Sequence, residues 1–325
     1  MEGRLRGKWK SSRAARELSL GGKERSAGSV IIIYLMTVLF GLVLGSFLNV
    51  CIARLPYGQS VVRPRSKCPH CGHLIRWYDN FPLLSYLILR ARCRDCHVRI
   101  SPLYPTVEAL TALVLVLTYH VYGPGLEFGM YGFGLAFIKY ALFGMLLIIV
   151  IFTDLLDRCI PHPVTIWGIC LGLAFSFFTP VDGQPLVWIL RHWDIFLDGA
   201  PAHVAGAVTG ALVGGGLFYA VGEAFYRLSG VFSWLGGKQK EGLGFGDVML
   251  MLMVGTFLGV PLTLMTILLA SIAGSVIGLV MIAIDTRFRD YQWPYGTFLG
   301  IAAIYAGLNG RWLLHWYLSW SGISG

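Results

Sequence analysis

Long runs of apolar residues alternate with short polar segments along most of the chain. Eight such runs can be compared with the roughly 20 residues that an α-helix needs to cross a bilayer. They lie at about 30–52, 106–122, 132–153, 163–180, 203–226, 247–260, 261–284 and 295–318. The sixth run is short for a full crossing and directly follows a glycine-rich loop. The pattern predicts an all-α polytopic membrane protein with about eight transmembrane helices.

Composition agrees with this class. Of the 325 residues, 56% are hydrophobic and 13% are charged, and the mean hydropathy is +0.66. A soluble domain averages about 25% charged residues, so this balance favours a membrane protein. Glycine is abundant, and Gly206, Gly210 and Gly214 recur every four residues. This spacing predicts a smooth helix face on which a neighbouring helix packs closely.

Basic residues are concentrated in the loops on one side of the predicted helices. The loop after the first helix contains Arg54, Arg63, Arg65, Lys67, Arg76, Arg90, Arg92, Arg94 and Arg99. Three later loops on the same side contain Arg158, Arg227, Lys238, Lys240, Arg287 and Arg289. Only Lys139, Arg191 and Arg311 lie on or near the other side. By the positive-inside rule the basic side is cytoplasmic.

Residues 1–28 do not fit this orientation. They carry eight basic and three acidic residues, although eight crossings would place both termini outside. Because a tail of this charge resists translocation, we interpret 1–28 as a disordered tail or a mis-assigned start, with Met36 as an internal alternative. It has no small-residue cleavage site typical of a signal peptide.

A polar segment over about 53–105 separates the first two apolar runs. It contains Cys68-Pro-His-Cys71 and, after 21 intervening residues, Cys93-Arg-Asp-Cys96. Two C-x-x-C pairs at about this separation are typical of a tetrahedral zinc site, because each pair presents two thiolates to one ion. Disulfides rarely persist in the cytoplasm, so structural zinc is favoured over a redox pair or free thiols. Nearby histidines that offer alternative ligands are His70, His73 and His97.

The basic residues of this cysteine loop also bear on its partners. A loop that lies against the inner leaflet is expected to be basic, because each Lys or Arg near an anionic membrane surface contributes about 1 kcal/mol. Membrane lipid is therefore the expected partner of this loop, and nucleic acid is not expected.

Two acidic residues lie where apolar runs meet polar loops on this same side. Asp154 ends the third run, shortly before two prolines that stop a helix, and Asp247 closes the glycine-rich stretch GLGFGD. A carboxylate at a membrane boundary is costly and persists mostly where it has a partner or a function. The structural alternatives are an ion pair of Asp154 with Arg158 and a helix N-cap at Asp247. Asp157, one turn on, is more easily solvated.

Two carboxylates brought together in a site of low dielectric cannot both ionise comfortably, so the pair holds one proton. The ionised member can activate a water, while the protonated member polarises the scissile carbonyl and then protonates the leaving amine. Gly244 and Gly246 allow an extended substrate strand to approach Asp247 closely. No GxSxG, HExxH or Walker-type motif indicates a serine, zinc or nucleotide enzyme. The predicted chemistry is that of an aspartic peptidase, which needs no cofactor for proteolysis.

Six ordered motifs resemble those of the type IV prepilin peptidases, the leader peptidases of type IV pili and type II secretion. They are GSFLNVCIARLP (45–56), CPHCGHLIRWYDNFPLLSYLILRARCRDC (68–96), ISPLYPTVEALTAL (100–113), TDLLDRCIP (153–161), GLGFGDVML (242–250) and WPYGTFLG (293–300). The resemblance is collinear from about residue 38 to 305. It aligns the family's catalytic aspartates with Asp154 and Asp247. Its zinc-type cysteines align with Cys68, Cys71, Cys93 and Cys96.

The resemblance implies an enzyme of the bacterial inner membrane that removes the basic leader of a prepilin or pseudopilin at the cytoplasmic face. Many members also N-methylate the new amino terminus with S-adenosylmethionine, and the cysteine loop is commonly linked to this activity. Asn49 and Glu108 are candidates to serve methylation or to position the substrate. The alternatives are a buried packing role for Asn49 and an interfacial position for Glu108.

Three residues depart from the family pattern. Met249 stands where the family often has Lys, in GxGDxK, which bears on the charge near Asp247. Ala91 and His97 stand where Gly is usual, before the third cysteine and after the fourth. We expect both to alter the turn of the second C-x-x-C pair without removing a ligand.

These features predict a basic tail over 1–28, an amino-terminal region over 29–122 and a membrane-embedded aspartic peptidase domain over 123–325. One alternative is a peptidase without methylation activity. Another is a presenilin-like intramembrane protease, which shares GxGD but would place its partner aspartate deep in a helix and lacks a tetracysteine loop. A transporter or scaffold is disfavoured because the two halves show no internal repeat.

Overall fold

The computed structural model describes Gly28 and residues 30–123, 132–181, 198–234, 244–286 and 293–321. The tail predicted over 1–28 lies outside the described residues except for Gly28. The described chain forms α-helices and contains no extended β-strand. The helices are α1 (30–54), α2 (Leu84–Ile88), α3 (Leu103–Tyr122), α4 (Gly132–Asp157), α5 (His162–Ser176), α6 (Ala200–Trp234), α7 (Phe245–Ile284) and α8 (Tyr295–Trp320).

Five helical segments in the described part are long and apolar enough to cross a membrane. They are Val30–Tyr57, Leu103–Tyr122, Gly134–Asp157, Ala200–Leu228 and Phe245–Ile284. α5 is apolar but has only 15 residues, and it ends at Ser176, four residues before Pro180. α8 has 26 residues, but its second half carries Asn309, Arg311 and His315. The number of eight crossings stays a prediction.

The sixth and seventh predicted spans form one 40-residue helix, α7, with a break near its middle. Gly259 has φ 74° and ψ 178°, which is not a helical conformation, and Pro261 follows two residues later. A positive φ is readily adopted only by glycine, and proline cannot donate the backbone hydrogen bond that continues a helix. The break therefore falls where the sequence pattern divides the two runs, at residues 260 and 261.

α6 and α7 pack with their backbones in contact. A methyl group added at Gly210 would meet the carbonyl oxygen of Gly255 and lie 2.8 Å from the Cα of Gly259. One added at Gly214 would lie 2.8 Å from the carbonyl oxygen of Met251. The predicted smooth face of α6 is thus the surface on which α7 lies, because only glycine lets the two backbones approach this closely.

An apolar core fixes α4 relative to α7 and α8. The rings of Phe143 on α4 and Phe257 on α7 stack with centroids 4.6 Å apart. Leu147 and Val150 on α4 and Leu299 on α8 are fully buried beside them. α4 also packs against α3 and α5, and α7 against α5. This packing brings the end of α4 to the beginnings of α7 and α8.

Candidate active site

Three helix ends meet around Ile160, in the connection between α4 and α5. A methyl group at Gly246, in the first turn of α7, would lie 3.1 Å from the Cβ of Ile160. One at Gly296, in the first turn of α8, would lie 2.9 Å from its Cδ1. α4 ends at Asp157, where Arg158 leaves the helix with φ 52°. The two predicted catalytic aspartates belong to these helix ends.

Asp154 lies in the last turn of α4, with 6% of its surface exposed. Its Oδ2 atom accepts two contacts from Thr297 of α8: the backbone N–H at 2.6 Å and the hydroxyl at 3.1 Å. The same hydroxyl also lies 3.2 Å from the carbonyl oxygen of Ile151. The first N–H groups of a helix have no partner within the helix. Asp154 therefore supplies an acceptor that the beginning of α8 needs.

Asp247 lies in the first turn of α7 and is half-buried. The N-cap of this helix is Gly244, so Asp247 is not the N-cap that the sequence allowed as an alternative. A methyl group at Gly244 would lie 3.6 Å from Asp247 Oδ2, so the carboxylate lies beside the glycine-rich loop. Its charge interacts with that of Asp154. The structure thus brings Asp154, Asp247, Gly244 and Gly246 to one place.

Sequence reasoning assigned no role to two residues of this site, Gly296 and Thr297. A methyl group at Gly296 would lie 3.0 Å from Asp154 Oδ2, so a side chain here would crowd the carboxylate. The available signal was the motif WPYGTFLG, which contains both residues. Nothing in this motif indicated that its Gly-Thr pair contacts Asp154.

Asp157, one turn beyond Asp154, has different surroundings. It is exposed, and its Oδ1 accepts a hydrogen bond from the hydroxyl of Tyr57 at 3.1 Å. This bond links the end of α4 to the segment that follows α1. Asp157 has no described hydrogen bond to Thr297, so it differs from Asp154 in both burial and partners.

The four predicted cysteine ligands lie together in the segment between α1 and α3. The Sγ atoms of Cys68, Cys71, Cys93 and Cys96 all lie within 4.8 Å of one another, and those of Cys68 and Cys96 are 3.9 Å apart. A tetrahedral zinc site with Zn–S bonds of about 2.3 Å has sulfurs about 3.8 Å apart. The donor set and its dimensions therefore fit one zinc ion. Such an ion would stabilise the fold of this segment.

The pKa values of the cysteine thiols depend on their neighbours in the cluster. The pKa of Cys68 is lowered to about 7, chiefly by the backbone N–H of Cys71, which donates to its sulfur. For Cys71 the N–H of His73 also lowers the pKa, but burial and the neighbouring thiols outweigh it and raise the pKa to about 12. Thiols this close therefore do not all ionise by themselves, and a bound cation would be needed to hold all four as thiolates.

The two C-x-x-C pairs form matching turns. Cys68 and Cys93 each donate their N–H to the carbonyl five residues later, at 2.9 and 2.8 Å, and accept from the N–H four residues later, at 2.9 and 3.0 Å. Gly72 has φ 74° in the first turn, and His97 has φ 57° at the equivalent place in the second. Ala91 also has a positive φ, 58°. The two departures from glycine therefore adopt the conformation that glycine favours, and all four ligands stay in place.

Asn49 and Glu108 each join two elements of the amino-terminal region. Asn49 on α1 donates from Nδ2 to the carbonyl of Tyr104 on α3 at 3.0 Å. Glu108 on α3 accepts the N–H of Leu83 at 2.8 Å, at the beginning of α2, and both side chains are buried. No hydrogen bond between described residues joins either of them to Asp154 or Asp247. Asn49 therefore joins α1 to α3, and Glu108 joins α3 to the beginning of α2.

Comparison with known proteins agrees with both parts of the chain. Residues 39–122 match the bacterial peptidase A24 N-terminal domain, and residues 141–279 match the type IV leader peptidase family. A protein of Myxococcus xanthus (strain DK1622) named prepilin leader peptidase/N-methyltransferase is 38% identical over 76% of this chain, which corresponds to 62% of that protein's length. No solved structure matches the chain.

Two further relatives align along nearly their whole length. A protein of Aeromonas hydrophila with the same name is 31% identical over 87% of this chain and 93% of its own. A type 4 prepilin-like proteins leader peptide-processing enzyme of Escherichia coli O78:H11 (strain H10407 / ETEC) is 34% identical over 82% of this chain and 91% of its own. The apolar helices and these relatives indicate a multi-pass membrane protein. The chain belongs to the type IV leader peptidase family.

Proposed function

We propose that the protein is an aspartic endopeptidase of the bacterial inner membrane that removes the leader of type IV prepilins or type II secretion pseudopilins at the cytoplasmic face. The observation that carries the proposal is that Asp154, at the end of α4, and Asp247, at the beginning of α7, lie close enough for their charges to interact. Family membership and the names of the relatives support the same activity. The cytoplasmic orientation rests on the excess of Arg and Lys in the loops beside these helix ends.

The proposed mechanism uses the two carboxylates as an acid and a base. One, ionised, removes a proton from water as the water oxygen attacks the scissile carbonyl carbon. The other, protonated, donates to the carbonyl oxygen as that oxygen gains charge. Collapse of the tetrahedral intermediate breaks the C–N bond, and the proton taken from water passes to the leaving amine.

The glycine-rich loop before α7 would admit the substrate. Gly244 is exposed and lies beside the Asp247 carboxylate, so an extended strand can approach without meeting a side chain. The apolar helix of the prepilin would lie in the bilayer beside the enzyme, and its basic leader would remain in the cytoplasm. This arrangement differs from cleavage within a membrane helix, and the family comparisons do not favour the presenilin-like alternative.

Methylation of the new amino terminus is proposed as a second activity, because the relatives are named as N-methyltransferases. The cysteine segment contains a cavity of about 480 Å³ that is lined by residues including Arg90, Arg92, Arg94 and His97. Guanidinium groups suit the carboxylate of S-adenosylmethionine and not its sulfonium, so the lining assigns no place to the transferred methyl group, and we derive no methylation step from this cavity. The proposed role of Glu108 is to position α2 through its bond to Leu83, and that of Asn49 is to hold α1 against α3 through its bond to Tyr104.

The test is leader removal from a purified prepilin, followed by mass spectrometry. We expect the wild-type enzyme to release the basic leader by one cut, and Asp154→Asn and Asp247→Asn to be folded but inactive. Asp157→Asn is the matched control, because Asp157 is exposed and bonded to Tyr57, and it should retain activity. Cleavage by either of the first two variants would contradict the proposed pair. Addition of one methyl mass in the presence of S-adenosylmethionine would support the second activity, and its absence would indicate a peptidase without methylation.

A further inference from the structure

We infer that the first turn of α8, through Thr297, positions Asp154 as the ionised, water-activating member of the pair, which leaves Asp247 as the member that carries the proton. This inference rests on the proposed function and deepens it, because it gives the two aspartates different tasks. It also assigns a positioning residue to a helix that contributes neither aspartate.

Thr297 makes two hydrogen bonds to Asp154. Both contacts from Thr297 reach the same oxygen, Oδ2 of Asp154, at 2.6 and 3.1 Å. A backbone N–H is only a donor, so the oxygen that receives it acts as an acceptor. Hydrogen bonds to an ionised acceptor are stronger than those to a neutral one. The arrangement therefore favours a carboxylate at Asp154, and it leaves the other oxygen, Oδ1, available for a water.

The first turn of α8 lies beside the end of α4. α8 begins at Tyr295 directly after Pro294, so its first N–H groups face the end of α4 without partners within the helix. The partial positive charge at a helix N-terminus stabilises a nearby anion. Gly296 permits this approach, because a methyl group there would lie 3.0 Å from Oδ2.

Asp154 and Asp247 differ in the hydrogen-bond donors that they receive. Asp154 receives two donors from Thr297, its N–H and its hydroxyl, whereas Asp247 receives the N–H of Gly244 and no side-chain donor among the described residues. Charged neighbours do not reverse this contrast. The Asp154 carboxylate interacts with the positive charge of Arg158, four residues later in the chain. The two aspartates also interact with each other. Since a pair of neighbouring carboxyls holds one proton between them, the proton belongs with the member that has fewer donors, which is Asp247.

The experiment compares two changes at Thr297 with one control change at another buried threonine. Thr297→Val keeps the size and the backbone N–H but removes the hydroxyl, while Thr297→Ser keeps the hydroxyl. Thr266→Val is the matched control, because Thr266 is buried and its hydroxyl bonds to the carbonyl of Leu262 at 2.8 Å. For prepilin cleavage we expect Thr297→Val to lower kcat roughly 10- to 100-fold with KM unchanged. Thr297→Ser should restore activity, and Thr266→Val should remain near wild type.

The pH profile of kcat separates positioning from a general structural role. Loss of a donor to the ionised base should move the acidic limb of the profile of Thr297→Val toward higher pH and leave the basic limb in place. If Thr297→Val lowers kcat no more than Thr266→Val, or if only the basic limb moves, the inference is overturned. If Thr297→Val does not fold, the comparison of Thr297→Ala with Thr297→Ser gives the same contrast. Failure of the proposed function is seen separately, as cleavage by the Asp→Asn variants.

Discussion

The crossing of α6 and α7 allows a matched test of how backbone contact holds the fold together. We consider two replacements of glycine by alanine in the same helix, Gly210→Ala and Gly216→Ala. At Gly210 the new methyl would meet the carbonyl oxygen of Gly255 and lie 2.8 Å from Gly259 Cα, whereas at Gly216 it would meet nothing within 4 Å. The two variants share the same change in side chain but differ in what that side chain contacts.

The magnitude follows from these distances. Carbon atoms pack best at about 3.5–4.0 Å, so at Gly210 the two helices must separate by roughly 0.7 Å or more, because the groups in the way are backbone atoms. Overpacking of this kind costs about 1–3 kcal/mol. Both variants gain about 0.5–1 kcal/mol from the better helix propensity of alanine. This gain cancels in the comparison, so Gly210→Ala should be less stable than Gly216→Ala by about 1–3 kcal/mol.

Thermal unfolding in one detergent at one scan rate measures this difference. Gly255→Ala, on the opposite helix, should be destabilised like Gly210→Ala. The double variant should lose less than the sum of the two, because the first methyl already separates the helices. If Gly210→Ala unfolds at the same temperature as Gly216→Ala or higher, the two backbones are not in contact and the argument is refuted.

Two further predictions concern the cysteine segment. Cys71→Ser and Cys96→Ser should each lower the zinc content and the thermal stability of the purified protein, because each removes one of four ligands that lie within 4.8 Å of one another; unchanged zinc by elemental analysis would remove the metal proposal. His97→Gly should stabilise the metal-loaded protein by about 1 kcal/mol, because His97 has φ 57°, a conformation that costs other residues about 1–2 kcal/mol. His73→Gly is the control, since His73 is not among the described residues with positive φ. Equal unfolding temperatures for the two variants would show that the backbone at His97 is not strained.

The sequence was sufficient for the helices and for the identity of the candidate ligands. A bilayer requires each backbone N–H and C=O to be satisfied within the spanning segment, so a long apolar run implies a helix of matching length. The two C-x-x-C pairs are local patterns whose chemistry depends on residue type and spacing, and they predicted the cluster that the structure contains. Asp154 and Asp247 were predicted as the catalytic pair from their positions at the ends of apolar runs.

Individual crossings were harder to predict than helices. The apolar run at 163–180 has the length of a membrane span, but α5 ends at Ser176. The runs at 247–260 and 261–284 both belong to α7, and they are separated there only by a kink at Gly259. Hydropathy measures how apolar a segment is, whereas the end of a helix depends on proline, on glycine conformation and on packing.

Only the tertiary structure decided which groups surround the aspartates. Thr297 contacts Asp154 across 143 positions of the chain, and Ile160 contacts Gly246 and Gly296 of two different helices. Contacts over such separations depend on how α4, α7 and α8 pack, and packing is set by shape complementarity among many side chains at once. The sequence by itself therefore determined the chemistry that is available to this protein. The structure decided that Asp154 and Asp247 lie close enough for their charges to interact, and that Asp154 has the beginning of a third helix as its partner.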